Sequence, residues 1–313
     1  MVRKGILASM LFVKIAVGLV LFLILYIVFA WFWSRRNNPL LAVNKNTQIV
    51  NFGSTYAYYD IDYSSFDVGG VNLANFPQYL DYDFIMCKKV INKLPKSAKI
   101  IFTFPNFVFA GTGTDPKRRQ YYEVLKPSEM KSFKFRNLFY YIYRASIEPF
   151  THYYFKRENK WKGYVASYEE KYEYALKRIR DWENPDGQVQ IPSVKRPLIT
   201  DKHLERISVN KKIVIEMVKW CSHYDFEPYL LLFPASDVMR TEISEECLEE
   251  YLYKPLREII EDLRELGFDI KVLDYSQNKE LSNMNLYMNG DCFNEEGRRK
   301  FTEMILRDVG LIK

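Results

Sequence analysis

Asn51-Phe52-Gly53-Ser54-Thr55 is the segment of this 313-residue chain best suited to chemistry. The run Thr47-Gln48-Ile49-Val50 before it reads as a short strand, and Gly53 permits a sharp turn at its end. Ser54 then stands where the strand gives way to the next element, the place from which an α/β enzyme presents a nucleophilic hydroxyl. The same residues also make an ordinary Gly-Ser turn, so the rest of the chain has to decide. A second polar cluster stands near the other end, Asn289-Gly290-Asp291-Cys292-Phe293-Asn294-Glu295-Glu296-Gly297, followed by Arg298 to Thr302. The three histidines (His152, His203, His223) and the four cysteines (Cys87, Cys221, Cys247, Cys292) are dispersed. No zinc-ligand spacing fits them, and no metal or cofactor is expected. Their wide spacing does not outline a disulfide framework, although an external location would permit disulfides.

The elements that must position these residues follow from periodicity. Tyr56 to Asp67 reads as an aromatic, acidic loop leading to Gly69-Gly70-Val71-Asn72. Leu80, Phe84, Val90 and Leu94 recur at helical spacing, which predicts a helix over Pro77 to Leu94. Lys99 to Phe104 is an apolar strand closed by Pro105-Asn106. Asp201 to Tyr224 reads as a helix capped by Thr200 or Asp201, and Pro228 to Phe233 as a buried strand closed by Pro234. An amphipathic helix over Glu246 to Leu266 ends at Gly267. A strand over Phe268 to Leu273 and a helix over Asn294 to Leu306 follow. Strands alternating with helices predict a three-layer α/β sandwich around a mainly parallel sheet. Active sites in such sheets gather at the strand carboxyl ends, where Ser54, Asn106 and the segment after Pro234 would all lie.

Residues 111–197 break this rhythm. Lys131 to Lys162 is dense in aromatic and basic residues. It reads as a helical subdomain with an aromatic stripe on the core, or as a patch or lid touching lipid headgroups or a glycan.

The chain begins with a different kind of segment. Ile15 to Trp33 carries no charge, and its nineteen residues span roughly 28 Å as a helix, close to the thickness of a bilayer core. Residues 1–36 therefore read as a single membrane anchor, 37–46 as a polar linker and 47–313 as the α/β domain. Three basic residues precede the span and two follow it, a small bias that favours a cytoplasmic N-terminus and an external domain. Five of the net six positive charges (Arg3, Lys4, Lys14, Arg35, Arg36) belong to the anchor region. The remainder is one charge from neutral, which argues against a nucleic-acid partner.

Taken in order, Asn51–Thr55, Gly69–Tyr82, Phe104–Asn106 and Asn289–Gly297 resemble the SGNH hydrolase-like superfamily. The likeness is to its membrane-anchored members in bacterial cell-envelope and exopolysaccharide systems, such as the alginate O-acetylation proteins and the anchored protein of teichoic-acid D-alanylation. It covers most of Ile49 to Leu311 and leaves the insertion unmatched. The resemblance implies Ser54 as nucleophile, with oxyanion donors from its own amide, Gly70 or Asn72, and Asn106. It also implies Asp-x-x-His in the last block, the histidine acting as base and the aspartate orienting it. Here the pattern departs. One alignment puts Cys292 in the histidine's place, another puts Asn294 there, and Asp291 holds the aspartate's place.

Two functions follow from the resemblance. The first is an acyl-ester enzyme, an O-acyltransferase or esterase acting on a cell-surface polysaccharide, with Ser54 activated by Asp291, by a distant histidine or by the substrate. The second is a catalytically degenerate module that binds a glycan or a partner during polymer assembly. The implied partners are the lipid bilayer, a cell-surface glycan or acyl donor, and other membrane proteins of the assembly system.

Overall fold

The computed structural model describes residues 2–36, 39–75, 78–111, 129, 165–183 and 199–313. The aromatic run Lys131 to Lys162, with His152, lies outside the described residues. Contacts divide the chain into a unit that includes its N-terminus up to Ala42 and an α/β unit beginning at Val43.

In the first unit, α1 (Val2–Arg36) is one continuous helix. Its stretch Phe12–Phe29 has a mean hydropathy of 2.8, and its side chains point outward, Phe12 being 72% and Leu25 68% exposed. That stretch is long and apolar enough to cross a bilayer, as an anchor or as a signal sequence.

The α/β unit opens with β1 (Ile49–Phe52), α2 (Thr55–Asp60), β2 (Gly70–Asn72), α3 (Leu80–Val90) and β3 (Lys99–Phe104). Next come α4 (Tyr168–Glu183), α5 (Asp201–His223), β4 (Glu227–Leu232), α6 (Lys254–Glu265), β5 (Lys271–Asp274) and α7 (Glu295–Asp308). All five strands are parallel, in the order β2-β1-β3-β4-β5. The central strands are buried along nearly their whole length, as apolar parallel strands covered on both faces must be.

Handedness assigns the layers. Crossovers between parallel strands are right-handed, so a connection running one way across the sheet puts its helix on one face and the reverse direction puts it on the other. The chain moves from β1 outward to β2, then back past β1 to β3, β4 and β5. Accordingly α3, α5 and α6 pack together, while α2 packs with α7. The direction reverses at β1, which leaves a crevice at the carboxyl ends of β1 and β3.

Several elements differ from the sequence expectation for local reasons. β1 starts at Ile49 because Thr47 is used in a turn, its Oγ1 accepting from the Asn44 amide at 3.1 Å. Gly70–Asn72 is a strand, with Ile49 opposite Gly70 and Asn51 opposite Asn72. The first part of the supposed loop after Ser54 is helical. The helix expected over Glu246 to Leu266 is interrupted by a π-helical turn over Glu249–Tyr253, just ahead of Pro255. Proline has no N–H to return to the preceding turn, and the wider turn accommodates that loss.

Candidate functional site

Ser54 sits at the N-cap of α2, beyond the carboxyl end of β1, as the alternation of elements requires. Gly53 before it has φ +143°, and a Cβ there would lie 1.7 Å from Thr103 Oγ1 on β3. The turn is therefore possible only with glycine. Thr103 Oγ1 donates to the Phe52 carbonyl at 2.9 Å and braces the strand end. Ser54 is half-buried, and its hydroxyl makes no hydrogen bond among the described residues.

Under this turn lie two residues that the sequence motifs did not single out. The Asn75 backbone N–H donates to the Gly53 carbonyl at 3.0 Å. Its side chain is wholly buried, and neither amide atom has a partner among the described residues. Asp83 on α3 is also buried, and its carboxylate accepts from Gln78 Nε2 and from the Gly53 N–H. Burial pushes the Asp83 carboxyl up to about 7, against the pull of those two hydrogen bonds. Its signal in the sequence is helical: Asp83 shares the stripe of Leu80, Cys87 and Val90 and so falls on the buried face.

The loop before α7 presents Asp291. Asn289 Oδ1 accepts from the Asp291 and Cys292 amides at 3.1 and 2.8 Å, and Gly290 takes φ +83° against the Lys171 carbonyl. Ala166 donates to the Met288 carbonyl at 3.0 Å, so the start of α4 is pinned to this loop. Lys171, Ala175 and Arg178 share one face of α4 at helical spacing, and this brings Arg178 to Asp291. Arg178 Nε donates to Asp291 Oδ2 at 3.1 Å, the two side chains being 33% and 5% exposed. Asp291 Oδ1 is buried with no hydrogen-bond partner among the described residues. The Tyr56 phenol lies beside this pair. Its own burial first, then the charge of the Asp291 carboxylate, to which the phenol also donates a hydrogen bond, hold its pKa well above the usual value. Burial opposes the Arg178 charge, but the Asp291 carboxylate beside it holds the guanidinium protonated.

These groups meet at a shallow cleft, open to solvent, at the carboxyl ends of the central strands. Tyr56 follows β1, Pro105 and Asn106 follow β3, and Phe233 to Ser236 follow β4, with Met239 and Asp291 completing the wall. The Tyr56 and Phe233 rings lie 5.8 Å apart in a tilted pair. Ser236 Oγ donates to the Gly290 carbonyl at 2.8 Å and ties the β4 side to the Asp291 loop. The cleft thus combines apolar walls with a carboxylate, an amide and a phenol.

The structure brings Asp291 and Asn106 to this cleft, with Ser54 two residues ahead of Tyr56. The other site residues suggested by the sequence are occupied elsewhere. Asn72 spends its whole hydrogen-bonding capacity on the fold. Its Nδ2 donates to the Ala57 and Ile61 carbonyls at 2.7 Å each, and its Oδ1 accepts from Asn51 Nδ2 and the Ala74 amide. Gly70 lies at the amino end of β2, its amide bonded to the Val68 carbonyl and its α-carbon packed on the Tyr63 ring. Neither is free to cradle an oxyanion beyond β1. Asn294 caps α7, its Oδ1 accepting from the Gly297 amide at 3.0 Å and its Nδ2 donating to the Asn285 carbonyl. An amide in that role is no base. Burial, reinforced by Asp60 and Asp291, drives the Cys292 thiol well above its usual pKa and keeps it protonated.

The two described histidines belong to other parts of the fold. His203 Nδ1 contacts Thr200 Oγ1 at 3.0 Å within a capping box, and its ring packs edge-on against Tyr251. His223 closes α5 against the Tyr224 ring, before the amino end of β4. In comparisons with known proteins, no family model and no curated protein matches the chain.

Proposed function

We propose that this chain is a membrane-anchored module of the SGNH-like kind whose α/β domain faces the cell exterior and holds a hydroxyl-rich cell-surface glycan without cleaving or acylating it. The observation that carries this reading is the pairing of Asp291 with Arg178. A base-orienting aspartate has to face an imidazole, and this carboxylate instead holds a guanidinium. Ser54 stands at the nucleophile's place after β1, but among the described residues nothing hydrogen-bonds its hydroxyl, and a hydroxyl without a base is a poor nucleophile near neutral pH. The cleft has the composition of a binding site: apolar walls to receive the C–H faces of a sugar, with Asn106 and Asp291 to fix its hydroxyls. The Tyr56 phenol and the Arg178 guanidinium both engage Asp291, so the carboxylate shapes the cleft wall as a fixed, neutralised group.

The test uses the full chain in detergent, a serine-directed fluorophosphonate probe and purified cell-surface polysaccharide. The expected result is no labelling of Ser54, with polysaccharide binding that survives Ser54→Ala and falls at least tenfold in Asn106→Ala. Labelling that disappears in Ser54→Ala would instead establish the acyl-ester enzyme and overturn this reading.

A further inference from the structure

Cys87 on α3 and Cys221 on α5 are 134 residues apart in the chain, yet their sulfur atoms lie 4.0 Å from each other between the packed helices. Both are completely buried. We propose that Cys87 and Cys221 form a disulfide when the chain folds under oxidising conditions, stapling α3 to α5. The sulfurs must approach from 4.0 Å to about 2.0 Å, a closure within reach of χ1 rotation and a small slide of two packed helices.

The oxidant is a second disulfide, either oxidised glutathione or the active disulfide of a thiol oxidoreductase. One cysteine thiolate attacks it to give a mixed disulfide and releases the first thiolate leaving group. The other cysteine thiolate then attacks the mixed disulfide, closes the Cys87–Cys221 bond and releases the second. The pair loses two protons and two electrons, and the oxidant is reduced to two thiols. Burial above all, and then the neighbouring Cys221, hold the Cys87 thiol well above its usual pKa in the folded state. Thiolate is therefore scarce once the helices have packed, and the bond forms as they assemble. Only the oxidising compartment rests on the reading of an external domain.

The staple has a consequence for the site. Asp83, which holds the Gly53 amide beneath Ser54, stands one helical turn before Cys87. Joining α3 to α5 fixes the floor of that turn.

The experiment is synthesis of the full chain, cell-free, into detergent micelles in a glutathione redox mixture, followed by thiol trapping and peptide mapping without reduction. The expected product is a cross-linked pair of Cys87- and Cys221-containing peptides, lighter by two hydrogen atoms than the two free-thiol peptides. Its melting midpoint should exceed that of the same protein in dithiothreitol by about 5–10 °C. The shift should vanish in a Cys87→Ala/Cys221→Ala double variant and persist in Cys292→Ala. Absence of the linked peptides, a cross-link to Cys247 or Cys292 in their place, or equal midpoints with and without reductant would overturn the proposal. Each of these readouts is independent of glycan binding, so failure here leaves the cleft reading standing, and the reverse holds as well.

Discussion

Replacing Arg178 with alanine removes the guanidinium that lies 3.1 Å from a carboxylate with only 5% of its side chain exposed. Two unit charges about 4 Å apart attract by about 4 kcal/mol at an effective dielectric near 20. Stripping one partner from a buried pair costs about 3–5 kcal/mol, chiefly because the remaining charge is left buried and uncompensated. Arg178 is one-third exposed, so solvent screening reduces the figure, and about 2–3 kcal/mol is expected. For a domain of this size that is a fall in melting midpoint of about 5–10 °C. Asp291→Asn should be milder, about 1 kcal/mol, because the guanidinium left behind already reaches water. The double variant Arg178→Ala/Asp291→Asn no longer buries a lone charge. It should melt above the sum of the two single losses, with a coupling of at least 1 kcal/mol. Thermal melts of the four proteins in detergent at pH 7 supply the cycle. If Arg178→Ala melts within 2 °C of the parent, or if the two losses simply add, the ion pair does not organise the cleft and the account of Asp291 fails.

Asp83 predicts a pH dependence of stability. Burial raises its carboxyl to about 7 in the folded state against about 3.9 unfolded, so between those values the folded protein binds more protons. This contribution to stability is complete below about pH 4, declines as pH rises, and levels off above 7, for a loss on the order of 4 kcal/mol. Asp83→Asn should flatten the curve of melting midpoint against pH over that window, and an unchanged slope would remove Asp83 as its source. Gly53→Ala must place a Cβ 1.7 Å from Thr103 Oγ1 at φ +143°, and should leave little folded protein by circular dichroism. Gly267→Ala, at φ +82° with nothing within 4 Å, should cost only about 1 kcal/mol and serves as the control. Leu23→Lys puts a charge near the middle of the apolar stretch, at about 2.5–3.5 kcal/mol of insertion energy, and should increase release by alkaline carbonate. A parent chain already released by carbonate would refute insertion of Phe12–Phe29.

The fold was legible wherever one residue pattern had one physical meaning. Lys99 to Phe104 is bounded in the structure as its apolar run suggests, because a continuous apolar segment closed by Pro105 has few alternatives to a buried parallel strand. Thr200, one of the two caps the sequence offered, caps α5, and α7 starts one residue after the expected Asn294, which caps it. Gly70–Asn72 was not legible as a strand. Three residues are too few for periodicity, and pairing with β1 decides their conformation. Thr55–Asp60 was hidden for a similar reason, since its aromatic and acidic composition also suits a loop. Its helix is supported from outside, by Asn72 holding the Ala57 and Ile61 carbonyls and by the Phe293 amide donating to Asp60 at 2.8 Å.

For the site, residue type at a motif position did not determine role, and the accounting of hydrogen bonds did. Asn72, as an alternative to Gly70, and Asn106 were both oxyanion-donor candidates in the sequence. The first has every donor and acceptor engaged in the fold, while the second stands half-buried in the wall of the cleft. Asp291 was placed by its spacing, but its partner came from α4, within a segment that matched no motif, and the helical spacing of Lys171, Ala175 and Arg178 was the signal there. That partner changes what the aspartate is for. A carboxylate facing an imidazole tunes a proton acceptor, whereas one facing a guanidinium is neutralised in place. Among the described residues no group hydrogen-bonds the Ser54 hydroxyl, so the carboxylate that the motif order would assign to activating it is engaged by a cation instead.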